Sequence, residues 1–124
     1  MQVAINEHNG SRVAVIQLED NQTICDPQSA LDLLMDVKCG YECSKLVFPK
    51  EAFCADFYEL KTRLAGEILQ KFINYHSKLA IAGDFSCYSS KSLHDFIYEC
   101  NSGSDIFFLP SVEEAIERLH KCTI

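Results

Sequence analysis

Apolar positions along the chain alternate between short β-type runs and longer stretches with helical spacing. Val3 to Glu7, the dipeptide Asn9-Gly10 and the run Val13-Ala14-Val15-Ile16-Gln17-Leu18 predict a hairpin, because Asn-Gly supplies the positive φ values of a tight turn. Lys45-Leu46-Val47-Phe48 ahead of Pro49, Lys78 to Gly83, and Asp105 to Leu109 are short continuous apolar runs of buried-strand length.

Between them lie four helical patterns. Asp26-Pro27 offers an N-cap and a first-turn proline, and Ala30, Leu31, Leu33, Leu34 and Val37 form one face up to Gly40. Asp56 to His76 is the longest pattern and predicts one helix, with Phe57, Leu60, Leu64, Ile68 and Phe72 on a single stripe. Ser90 to Cys100 presents Leu93, Phe96 and Ile97 and closes in the turn-rich Asn101-Ser102-Gly103-Ser104. Ser111-Val112-Glu113-Glu114 is a capping box that opens a helix through Leu119.

The resulting order, β-β-α-β-α-β-α-β-α, predicts an α/β fold with a mixed five-stranded sheet, an N-terminal hairpin and four helices. Strands separated by helices return through right-handed crossovers and pair in parallel. No repeat or linker divides residues 1–124, so a single domain is expected.

Composition narrows the classes of function. A hydrophobic share of 48% and a charged share of 23% are ordinary for a globular chain, and no apolar run reaches membrane-span length. The formal charge of −7, with cations scattered singly, argues against nucleic acid as a partner. The start, Met1 to Glu7, lacks a basic segment ahead of an apolar stretch, which makes the cytoplasm the expected location. Seven cysteines (Cys25, Cys39, Cys43, Cys54, Cys87, Cys100 and Cys122) are an odd number without an export signal, and they read as free thiols.

The element order is similar to that of STAS-like domains, found in bacterial anti-sigma factor antagonists and in the cytoplasmic tails of sulfate transporters. The stretch Asp56 to Phe72, with Leu79-Ala80-Ile81-Ala82-Gly83-Asp84-Phe85-Ser86, Lys91-Ser92-Leu93, Asp95 to Glu99 and Asn101, resembles the bacterial family DUF4180 over nearly the whole chain. That family has no assigned activity, so the resemblance implies a fold and no catalytic residues. In the antagonists a serine after an aspartate is the phosphorylation switch. The matching segment here is Asp56-Phe57-Tyr58-Glu59-Leu60, with aromatics in place of serine, and Thr62 is a weak substitute.

Ligands of largely parallel sheets gather at the carboxyl ends of the strands. That rule groups Lys50, Glu51, Asp84, Ser86, Tyr88 and the helix start at Ser111, with Asp56 and Lys61 of the predicted long helix nearby. Two readings stand: a polar cleft, or loop aspartates that only cap backbone amides. Lys61 could snorkel or pair with Asp56 or Asp84, and Arg63 is spaced for an ion pair with Glu67. Phe53, Phe57, Tyr58 and Phe85 are either a patch at the cleft edge or core.

Cys39 and Cys43, with three residues between them, lack the second pair or suitably spaced histidine of a metal site. His8, His76, His94 and His120 are dispersed, and no nucleophile elbow or phosphate-binding glycine loop is present. No metal or cofactor is expected. The function expected is a non-enzymatic binding or regulatory module that takes a protein partner or a small-molecule ligand, a homodimer being one form of partner. The alternative is a small enzyme using Asp56, Lys61 and Asp84.

Overall fold

The computed structural model describes residues 1–19 and 22–122. Strands β1 (Gln2–His8) and β2 (Ser11–Gln17) form the expected antiparallel hairpin, with His8 opposite Ser11. Asn9 (φ 50°) and Gly10 (φ 81°) are both left-handed, the turn geometry that matches strand twist. Helix α1 (Pro27–Gly40) starts where Asp26 accepts a 2.7 Å hydrogen bond from the Ser29 amide. Strand β3 (Lys45–Pro49), helix α2 (Leu64–Asn74), strand β4 (Lys78–Ala82), helix α3 (Lys91–Ser102), strand β5 (Ile106–Leu109) and helix α4 (Val112–His120) follow.

The sheet order is β1-β2-β3-β4-β5, and every pairing after the hairpin is parallel. Each crossover therefore steps one strand in the same direction. With a constant right hand, this places α1, α2 and α3 on one face. No crossover follows β5, and α4 folds back over the other face.

Strands β3, β4 and β5 lie between helices on both faces and are buried along almost their whole length, which explains their unbroken apolar runs, whereas β1 at the edge is largely exposed. Leu46, Phe48, Leu79, Ile81 and Phe108 pack toward the three-helix side with Leu34, Ile68 and Phe72. Val47, Ala80 and Phe107 pack toward Ala115 and Leu119 of α4. No helix among the described residues is long and apolar enough to cross a membrane.

One expectation is corrected. Asp56–His76 is not one helix: 3-10 turns at Ala55–Tyr58 and Leu60–Thr62 precede α2, which begins at Leu64. Arg63 at φ 65° interrupts helical geometry between the 3-10 turns and α2. Thr62 stabilises the break, its hydroxyl lying 2.8 Å from the carbonyls of both Asp56 and Glu59. Arg63 consequently stands outside the helix, and its expected ion pair with Glu67 is not formed; only the Glu67 amide reaches the Arg63 carbonyl.

Candidate functional site

At the carboxyl end of the sheet, four of the expected residues meet. Lys50 follows the last residue of β3, and Asp84, Ser86 and Tyr88 belong to the loop after β4. Lys50 Nζ donates to the Asp84 carbonyl at 2.9 Å and to Cys87 Sγ at 3.1 Å, and it stands 4.7 Å from the centre of the Tyr88 ring. The hydrogen bond to Cys87 is the main reason that the Lys50 ammonium holds its proton more tightly than an ordinary lysine, with Tyr88 adding to it against partial desolvation.

Asp84 folds its loop back on itself. Its Oδ1 accepts from the Ser86 hydroxyl at 2.6 Å and the Ser86 amide at 2.9 Å. These bonds, with Lys50 nearby, hold its carboxyl below the usual range. The structure thus realises the capping reading for Asp84 while also bringing it beside Lys50.

Beneath this loop lies a layer of rings. Tyr58 stacks on Tyr88 with ring centres 5.2 Å apart and donates its hydroxyl to the Lys50 carbonyl at 2.7 Å. Burial, then Tyr88, Glu51 and Cys54, raise the Tyr58 phenol far above its ordinary value, so it acts as a neutral donor. Phe53, Phe57 and Tyr58 are buried, Phe53 stacked on Phe57 and Phe57 edge-on to Tyr58, with Phe85 half-buried against Phe108. These aromatics form the floor of the cleft and part of the core.

The remaining candidates do not join. Glu51 points toward a different recess, beside Leu18, Glu19 and Thr23. Asp56 is exposed and acts on the Cys25 thiol rather than on Lys50. Lys61 is exposed and makes no hydrogen bond or ion pair among the described residues, so it pairs with neither Asp56 nor Asp84. Ser111 caps α4 by accepting from the Glu114 amide at 3.2 Å, on a helix packed against the opposite face.

Sequence reasoning missed Tyr58 as a second-layer donor, Cys87 as an acceptor for Lys50, and His94, whose Nε2 lies 2.6 Å from the Tyr88 carbonyl. Only the last carried a local signal, since Ser90 and Lys91 open α3 and put His94 one turn along it. All seven cysteines are free, and the described residues include no group of three or more His, Cys, Asp or Glu able to hold a metal ion.

The family model described as Domain of unknown function (DUF4180) matches residues 8–119. No curated protein and no solved structure matches the chain.

Proposed function

The chain belongs to the DUF4180 family, a domain of unknown function, and from that premise we propose a binding or regulatory module that works through the carboxyl-end cleft without turning over a substrate there. The observation that carries this reading is mutual satisfaction. Lys50 is engaged by the Asp84 carbonyl and Cys87, and the Asp84 carboxylate by Ser86, while Asp56 and Lys61 stand apart. A general acid or base must reach a substrate proton from a poised position. These groups instead offer a positive head, a ring face and a rigid loop, which suit an anionic ligand or an acidic partner segment.

The order of elements supports a STAS-like reading of the fold. At the segment matching the antagonists' switch, Phe57 occupies the position after Asp56 and is 1% exposed, and the Thr62 hydroxyl is held by two carbonyls. Both facts favour a module without a phosphoserine there.

A thermal-shift panel of anionic metabolites on purified protein tests the proposal, because a ligand of the folded state raises the melting temperature. The expected result is a shift that disappears in Lys50→Met. If no metabolite shifts the melting temperature and no protein partner is recovered in a Lys50-dependent manner, the proposal is overturned.

A further inference from the structure

The opposite edge of the sheet, at the amino ends of the parallel strands, holds a polar cluster with a different chemistry. Ser11 opens β2, Lys45 opens β3, Asn6 lies on β1 and His120 ends α4. Ser11 Oγ is 2.8 Å from His120 Nδ1 and 2.9 Å from Lys45 Nζ, and His120 Nε2 is 2.7 Å from Asn6 Oδ1.

The proton positions follow from the donor inventory. Asn6 Oδ1 only accepts, so His120 carries its hydrogen on Nε2. The Lys45 ammonium only donates, so Ser11 accepts from it and has its own hydrogen to give. In the neutral ring, the Nδ1 lone pair receives that hydrogen. Desolvation, reinforced by His8 and Lys45, pushes the His120 pKa down and favours this neutral form. The other charged groups around the ring are Glu7 on β1, Arg12 on β2, Glu42 ahead of β3, and Glu113, Glu117 and Lys121 on or next to α4.

A hydroxyl, a base within reach and a third group that orients the base are the parts of an activated nucleophile. Lys45 adds a fourth. It is 6% exposed, is anchored by a second hydrogen bond of 2.9 Å to the Cys122 carbonyl, and sets a cation against the oxygen that would become negative. A recess of about 470 Å³, lined by Asn9, Gly10, Glu42 and Ser44 among others, opens onto Ser11. That volume suits a small ligand.

We infer that Ser11 is a nucleophile that takes an acyl group from an activated ester or thioester, with His120 as its general base. The inference is independent of the carboxyl-end cleft. Ser11 Oγ forms a bond to the carbonyl carbon as its proton passes to His120 Nδ1. The carbon–oxygen or carbon–sulfur bond to the leaving group then breaks, and the departing alkoxide or thiolate takes the proton from Nδ1. The products are O-acylated Ser11 and a free alcohol or thiol, with no change in oxidation state.

The test treats the full chain with p-nitrophenyl acetate and, separately, with an alkyl fluorophosphonate, and maps the modified peptide. Ser11 is expected to carry one acetyl or phosphonyl group, and His120→Gln, checked for folding by circular dichroism, is expected to react about 10²-fold more slowly or worse. In the wild type the rate falls as pH is lowered through the titration of His120. Failure of both reagents to label Ser11, or equal rates in folded His120→Gln, overturns the inference. Should that variant not fold, a wild-type rate that does not fall with His120 protonation overturns it instead.

Discussion

Gly83 and Lys50 meet where β4 and β3 end, so closely that a Cβ on Gly83 would stand 2.6 Å from the Lys50 Cβ. The glycine is required here by contact, not by a left-handed backbone. The stem of Lys50 lies across it, which directs the ammonium toward Asp84 and Cys87.

Gly83→Ala should therefore destabilise the protein by about 1–3 kcal/mol, the range for forcing an extra carbon into a packed site. The atom it meets is at the root of the lysine side chain and cannot swing away. Urea unfolding measures the cost, and in a Lys50→Gly background most of it should vanish. An equal cost in both backgrounds would place the strain elsewhere.

Asn101 acts as a substitute strand for the sheet edge at β5. Its Nδ2 donates to the Phe108 carbonyl at 3.0 Å, and its Oδ1 accepts from the Phe108 amide at 2.7 Å. Asn101→Ala leaves both backbone groups of an edge strand unpaired, at about 1–3 kcal/mol. It should also promote edge-to-edge association, visible by light scattering at high concentration. Asn101→Asp should be nearly as damaging, because a carboxylate oxygen replaces the donor facing the Phe108 carbonyl.

The features that local chemistry governs were legible from the chain itself. Asn9-Gly10 marked the hairpin, and Asp26 and Ser111 marked helix starts that each accept the expected amide. The break before α2 was not legible, because Phe57, Leu60, Leu64, Ile68 and Phe72 fit helical spacing whether or not the backbone is helical. A left-handed arginine carries no sequence signal comparable to glycine.

That single misreading also misplaced Asp56 and Lys61 in the cleft. Lys50, Asp84, Ser86 and Tyr88 do lie together at one end of the sheet, because the strand-end rule depends only on strand boundaries. The Ser11–His120 pair, 109 residues apart in sequence, depends on α4 returning over the second face, which no local pattern reports.

His120 gives stability a pH dependence of definite sign. Its ordinary value is 6.5, and in the folded protein it lies lower, mainly through desolvation, with His8 and Lys45 adding to it. As pH falls below 6.5 the unfolded chain takes up a proton at this residue before the folded one, so stability falls; above 6.5 neither form is protonated and this contribution is flat. Urea midpoints from about pH 7.5 down to about pH 5.5 should show the decline, and His120→Gln should flatten it.

Cys25 and Cys54 are neighbours by register. Ile24 pairs with Phe53 in an isolated parallel bridge, held by Ile24 N to Ala52 O at 2.8 Å and Cys54 N to Ile24 O at 3.1 Å, so the next residue on each strand also faces across. The neighbouring Cys54 thiol above all, then partial desolvation and the charges of Asp26 and Asp56, raise the Cys25 thiol above its ordinary value. Adjacent residues of paired strands lie at a Cα separation a disulfide can span. Incubation with glutathione disulfide should therefore join Cys25 to Cys54 in preference to any other pair, each bridge consuming one oxidant and releasing two glutathione molecules. The raised thiol makes the reaction slow at neutral pH and faster as pH rises, since the thiolate is the attacking form. Non-reducing peptide mapping checks both points, and a bridge formed first between other cysteines would contradict the register.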